Sequence, residues 1–287
     1  MDKIERKTIQ KELCQADAVL IGAGAGMSAA AGLRYSGERF ERNFKDFIDR
    51  YGLKDMYSSG FYPFPSIEEK WAYWSRHICL NRYDMPAGKA YKDLYDLVKD
   101  KNYFVLTTNV DHQFWLAGFE DRRIFAVQGD YGLFQCRAAC HKKLYDNEKQ
   151  VKAMAEEQRD CRIPKALIPR CPVCGKEMEV NLRKDGFFVE DEKWHQAAGR
   201  YERFLGENRN KHILFLELGV GMNTPGIIKF PFWKLCAQLV QTSYVCINQG
   251  EAWAPEEIRN RSLCINGDIA EVLRDLEDEK NGSAAEA

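Results

Sequence analysis

Six short apolar runs punctuate the chain, at residues 18–21, 103–107, 124–127, 213–218, 244–247 and 262–265. Each is brief and rich in β-branched or aromatic residues, which predicts strands. The runs are continuous rather than alternating with polar positions, as in strands of a parallel sheet covered on both faces. Between several of them the period changes to that of a helix. Leu94, Leu97 and Val98 share one side of 90–98, and residues 228–240 are apolar with few polar breaks. Ile269, Val272, Leu273 and Leu276 fall on one face of a last helix. Strands alternating with helices predict a doubly wound α/β fold on a six-stranded parallel sheet.

Two stretches break this alternation. Residues 35–87 are rich in aromatics, serine, proline and charge, with a helical fragment at 67–79, and residues 134–180 hold five of the ten cysteines. Both read as insertions that together build a smaller second lobe, one helical and one zinc-binding. The remaining segments, 1–34, 88–133 and 181–287, form a Rossmann-like domain. The residues 281–287 read as a frayed tail.

Composition narrows the function classes. Hydrophobic residues make up 45% and aromatics 12% of 287 residues, enough for a core and against wholesale disorder. The 42 basic and 43 acidic residues nearly cancel, which removes the general drive toward nucleic acid. No stretch approaches the ~18 apolar residues of a membrane span. The charged start, Met1 to Lys7, has no apolar segment behind it, so no secretory signal is expected. The expected compartment is the reducing cytoplasm, where cysteines are buried thiols, metal ligands or catalytic groups.

The first predicted strand runs into Gly22-Ala23-Gly24-Ala25-Gly26-Met27-Ser28, with Gly32 closing the turn region. A strand, a glycine turn and then small helix-compatible residues can cradle a pyrophosphate. The loop lacks the Gly-Lys-Ser/Thr of a phosphate-binding P-loop and the strict Gly-x-Gly-x-x-Gly spacing of dehydrogenases. A tight βα turn without ligand is the alternative. The second strand ends in Thr107-Thr108-Asn109-Val110-Asp111. Polar groups there face the ligand crevice of such sheets, although Asp111 also suits a cap on a helix at 112–117.

The order of these parts resembles the sirtuin family. Gly24-Ala25-Gly26-Met27-Ser28 and Gly32 match its glycine turn, and Thr107 to Asp111 with Ala117-Gly118 match its Thr-Gln-Asn-Ile-Asp segment. Gln128-Gly129 stands at its His-Gly pair, Gly219-Val220-Gly221 at its later glycine turn, Asn248 after the fifth strand and Asp268 before the last helix. The match runs from about residue 18 to 276. Two departures stand out: the catalytic histidine of the family is Gln128, and Arg34-Tyr35-Ser36-Gly37 replaces Pro-Asp-Phe-Arg. The double Gly-Ala-Gly-Ala-Gly and Gly219 to Pro225 resemble the macrodomain-linked microbial sirtuins. That resemblance implies NAD-dependent ADP-ribosyl transfer to an acceptor protein, in particular a lipoylated carrier of the glycine-cleavage H type, with a macrodomain hydrolase as functional partner.

The resemblance also implies roles. Asn109 orients the nicotinamide ribose, Asp111 holds the carboxamide and Gln128 bonds the ribose hydroxyls. The NAD-binding set is Gly24, Ala25, Gly26, Ser28, Gly32, Arg34, Tyr35, Thr108, Asn109, Asp111, Gln128, Gly219, Val220, Gly221, Asn223, Asn248 and Asp268. Glutamine has no titratable group. Departure of nicotinamide relies on positioning and electrostatics, whereas deacylation needs a base, whose loss costs ~10²–10⁴-fold. Gln128 therefore favours transfer over deacylation, the alternative activity. A third reading is a binding module for NAD or ADP-ribose without catalysis. His112, beside the motif, is a candidate substitute base, and Glu217 a candidate polariser near the crevice.

Cys136-x₃-Cys140 and Cys171-Pro172-Val173-Cys174-Gly175 predict a closed tetrahedral zinc site, structural in type. His141 and Cys161 are alternative ligands, and Cys171/Cys174 alternatively a redox pair. Cys14, Cys79, Cys236, Cys246 and Cys264 are expected in the core. The segment 186–191 resembles the family's edge that pairs with an acceptor peptide. Phe61, Tyr62, Phe64, Trp71, Tyr73 and Trp74 either line an acceptor cleft or form core.

Overall fold

The computed structural model describes the backbone of residues 1–285 and the side chains of residues 1–278. Its strands are β1 (Ala18–Ala23), β2 (Tyr103–Thr107), β3 (Ile124–Ala126), β4 (Gly129–Cys136), β5 (Tyr145–Asp146), β6 (Met178–Leu182), β7 (Ile213–Leu218), β8 (Thr242–Asn248) and β9 (Ser262–Asn266). Six of them form one parallel sheet in the order β3-β2-β1-β7-β8-β9, with every pairing parallel. All six expected strands lie in this sheet.

Strand parity explains the layers. Val19, Ile21 and Ala23 of β1 and Leu214, Leu216 and Leu218 of β7 join a core with the helices Lys3–Gln15, Lys89–Val98 and Ile269–Ala285. Ala18, Leu20, Ile213 and Phe215 face the other way, onto the helices Glu192–Asn208 and Lys229–Gln238. With helices on both faces, β1 and β7 are buried at every position, which is why their sequence does not alternate. The last helix continues through Ala285 instead of fraying from 281, while residues 286–287 lie outside the described residues.

The smaller lobe joins helices Glu38–Tyr51 and Ile67–Ile78 to an antiparallel sheet ordered β5-β4-β6. Phe40, Phe44 and Phe47 recur at helical spacing and bury with Trp71, Tyr73, Phe134 and Val180. Ser66 caps the second helix by accepting the Glu69 amide. Trp71 packs edge-on against Phe134 at 5.1 Å, so it belongs to this core. Phe61 is exposed, with Tyr57 its ring neighbour. The small sheet spans residues 129–182, so the expected limits at 134 and 180 fall inside two of its strands. Cysteines flagged the metal end of β4 but not its start.

Candidate active site

The strand order turns at β1: the chain builds outward through β2 and β3 on one side and through β7, β8 and β9 on the other. The carboxyl ends of β1 and β7 therefore flank a switch point, where such sheets open a ligand crevice. Both strands end there in glycine turns. Gly24 and Gly26 donate to Leu218 O (3.0 Å) and Gly219 O (2.9 Å). A methyl group on Gly26 would sit 2.6 Å from Gly219 Cα, and one on Gly24 2.7 Å from Gly219 O. The two turns touch backbone to backbone, which only glycine permits. Asn248, at the end of β8, donates from Nδ2 to Val220 O at 3.0 Å and braces the second turn.

The polar set at the end of β2 closes onto the first turn. Asn109 Nδ2 donates to Gly24 O at 2.9 Å and to the Tyr91 hydroxyl at 3.1 Å. Thr108 N bonds Ala23 O at 3.1 Å. Asp111 is buried, accepts a bond from the Ser28 hydroxyl and accepts the Gln113 amide at 3.1 Å. No cation pairs with it among the described residues, and burial raises its pKa despite those two bonds. The capping and site readings of Asp111 thus coexist on its two oxygens. The helix it precedes is a single turn, Gln113–Leu116.

Tyr91 was not singled out by the sequence. It joins Ser28 (3.3 Å) to Asn109 from the helix Lys89–Val98, and it is three residues before Leu94 on the buried face, where an aromatic reads as core. Tyr35 donates to or accepts from Tyr131 at 2.7 Å, and burial drives both hydroxyls to higher pKa. Gln128 follows β3 half-buried, and its side chain has no hydrogen bond among the described residues. Gly129 then turns the chain into β4 at φ +99°, where a Cβ would fall 2.0 Å from Asn181 O. His112, at φ 66°, bonds Asp130 at 2.8 Å and stacks on Trp115 at 4.4 Å. Arg82 holds the other Asp130 oxygen at 2.8 Å. Burial opposes ionisation of Asp130, but His112 and Arg82 outweigh it and lower its pKa.

Other expected positions are placed differently. Gly32, Arg34 and Asn223 are exposed, and Arg34 and Asn223 have no side-chain hydrogen bond among the described residues. Ala25 opens the short helix Ala25–Ala30, Val220 is core, and Gly221 adjoins Glu251, which takes the Met222 amide. Asp268 accepts the Ala270 and Glu271 amides and so caps the last helix. Glu217 is no polariser. By parity it shares a face with Phe215, wholly buried, bonding Lys229, Tyr244 and Cys246.

The four cysteines Cys136, Cys140, Cys171 and Cys174 converge with all sulfurs within 4.8 Å of one another. Two pairs lie at 3.6 and 3.7 Å, near the ~3.8 Å edge of a tetrahedron with Zn–S bonds of about 2.3 Å. Cys171 O accepts the Gly175 amide at 2.9 Å, forming the turn that aims two thiols together. The donor set fits structural zinc. Cys161 lies elsewhere, against Asp46 at 3.6 Å. His141 reaches Cys140 at 3.1 Å while its other nitrogen bonds Tyr145 at 2.8 Å, so it stands beside the cluster. Cys14 is exposed rather than core.

Segment 186–191 has one tethered edge. Gln135 accepts the Val189 amide and donates to Phe187 O, and Asn181 donates to Val189 O. Backbone groups of Phe188 and Glu190, which alternate with these, have no partner among the described residues.

A Rossmann-like sheet with a zinc lobe and this polar crevice defines a sirtuin fold. Sir2Tm bound to a propionylated peptide matches at TM-score 0.62 and 18% identity, covering 96% of this chain and 98% of that one. A Sir2–p53 peptide–NAD+ structure matches at 0.59 and 18%, with the same coverage. No family model matches the chain. It is 39% identical over 276 residues, 94% of this chain and 88% of the other, to a protein ADP-ribosyltransferase of Staphylococcus aureus (strain Mu50). It is 33% identical over 278 residues to a probable bifunctional ADP-ribose hydrolase/ADP-ribosyltransferase of Fusarium oxysporum f. sp. cubense, covering 91% of this chain and 46% of that protein. The chain belongs to the protein ADP-ribosyltransferase family of the Staphylococcus aureus relative, and its fold is that of the sirtuins.

Proposed function

We propose that the protein transfers ADP-ribose from NAD⁺ to an acceptor protein, releasing nicotinamide, in the cytoplasm. The observation that carries this reading is the pairing of a buried Asn109–Asp111–Ser28 set with a non-titrating Gln128. NAD⁺ supplies the activated ribose. The glycine turns at Gly24, Gly26 and Gly219 line the crevice for its pyrophosphate, and Asn109, its Nδ2 spent on Gly24 O and Tyr91, keeps Oδ1 for the nicotinamide ribose. Asp111 receives the carboxamide. Gln128, whose side chain has no competing partner among the described residues, bonds the ribose hydroxyls and leaves no base there for deacylation. The free backbone edge at Phe188 and Glu190 supports pairing with an acceptor strand.

The acceptor is a lipoylated carrier of the glycine-cleavage H type, and a macrodomain hydrolase is the functional partner that reverses the modification. The hydrolase half of the Fusarium relative's name supports the second point. Intact-mass analysis of such a carrier incubated with protein and NAD⁺ tests the reading. A gain of one ADP-ribose with stoichiometric nicotinamide is expected. Loss of an acyl group with O-acyl-ADP-ribose formed would show a deacylase instead. Gln128→Ala abolishes transfer, and full activity in that variant would remove the role given to Gln128.

A further inference from the structure

Away from the crevice, the zinc lobe carries a concave basic surface. A cavity of about 640 Å³ is lined by Lys70, Arg137, Arg170, Lys176 and Lys184. Three carboxylates interleave with these cations, and two of them are engaged: Glu177 with Arg137 at 2.7 Å and Glu179 with Lys184 at 2.5 Å. The third, Asp185, accepts the Phe187 amide. Lys70, Arg170 and Lys176 have no carboxylate partner within the described residues. Burial, and then the like charges of Lys184 and Arg137, lower the pKa of Lys70. An anion entering this cavity relieves that repulsion.

Position gives the cavity its meaning. Phe187 lines it, and the unpaired backbone edge starts at the next residue, Phe188. A strand paired along Phe188 and Glu190 and followed toward residue 186 runs over the cavity mouth.

We propose that this cavity docks an acidic segment of the acceptor protein, flanking the residue that is modified. The proposal rests on the transferase reading above. A protein segment fits better than a nucleic acid, because the cations line one compact hollow instead of tracking along a stripe that follows a phosphate backbone. Charge matching of this kind steers encounter and fixes orientation.

The test is the triple variant K70Q/R170Q/K176Q, whose side chains have no ion pair to lose, with an unchanged Tm as the check on folding. Fluorescein-labelled deca-glutamate, followed by anisotropy, is expected to bind wild type in a salt-sensitive way and the variant about tenfold more weakly. The KM for the lipoylated carrier is expected to rise about tenfold, with nicotinamide release in the absence of acceptor unchanged. Equal deca-glutamate binding and equal KM in the two proteins overturn the docking site and leave the transferase reading standing. Wild type that releases no nicotinamide overturns the transferase reading, while the peptide arm still decides the cavity. An oligothymidylate that binds more tightly than deca-glutamate and is lost in the same variant overturns the protein partner in favour of nucleic acid.

Discussion

The pair Lys229–Glu217 offers a sharp test of how the sheet is held. The two side chains meet at 2.5 Å with no solvent exposure. Tyr244 donates to the second carboxylate oxygen at 2.6 Å, and the Cys246 thiol to the first at 3.4 Å. Lys229→Met keeps the volume and removes the charge, which leaves a buried carboxylate with one strong donor and one weak one. Removing one partner of such a pair costs about 3–5 kcal/mol. At about 2–4 °C per kcal/mol for a chain of this size, Tm falls by roughly 6–20 °C. Thermal unfolding at pH 8 is the assay. The single variant should show this loss, and K229M/E217L, apolar on both sides, should recover most of it. A single-variant loss under about 1 kcal/mol at pH 8, or a double variant no better than the single, refutes the account.

Three further outcomes follow from the crevice and the metal cluster. Asp111→Asn removes an ionisable group whose folded pKa is raised by burial. The stability lost by wild type as pH rises through that value is kept by the variant, so its Tm gain grows from pH 4 to pH 8 while nicotinamide release disappears, and a uniform Tm loss would contradict this. Gly26→Ala brings a methyl group 2.6 Å from Gly219 Cα. Overpacking of about 1–3 kcal/mol then separates the two turns, and calorimetry should show NAD⁺ binding weakened about tenfold or more. Wild type is expected to hold one equivalent of zinc by atomic absorption; Cys171→Ser should lose it and unfold the small lobe by circular dichroism, whereas Cys161→Ser keeps the metal.

The large sheet was legible because β1, β2 and β7 bury both faces, and such strands write themselves as unbroken apolar runs. β4 was not. Gly-Asp-Tyr-Gly-Leu-Phe-Gln-Cys mixes glycine and charge, since Gly129 and Asp130 serve a turn and an ion pair before regular pairing resumes at Phe134. The motif residues of the crevice were visible as motifs, and their bracing was not. Tyr91 passes for an ordinary core aromatic until its hydroxyl is seen between Ser28 and Asn109. Glu217 looked catalytic because it ends a strand at the crevice edge. Only the face it shares with Phe215, set by strand parity, reveals it as interior.

Gln128 and Cys136 are the two ends of one continuous stretch, separated by the length of β4. Gly129 pairs with Leu182 and Cys136 with Met178, four residues apart on β6, so at ~3.3 Å per residue the two ends of β4 stand roughly 13 Å apart, with β6 alongside as a rail. The four-cysteine site thus lies at one end of a strand whose other end directly follows Gln128. Loss of the metal is therefore expected to loosen both ends of β4 together, so that specific activity falls in step with the zinc content of a preparation.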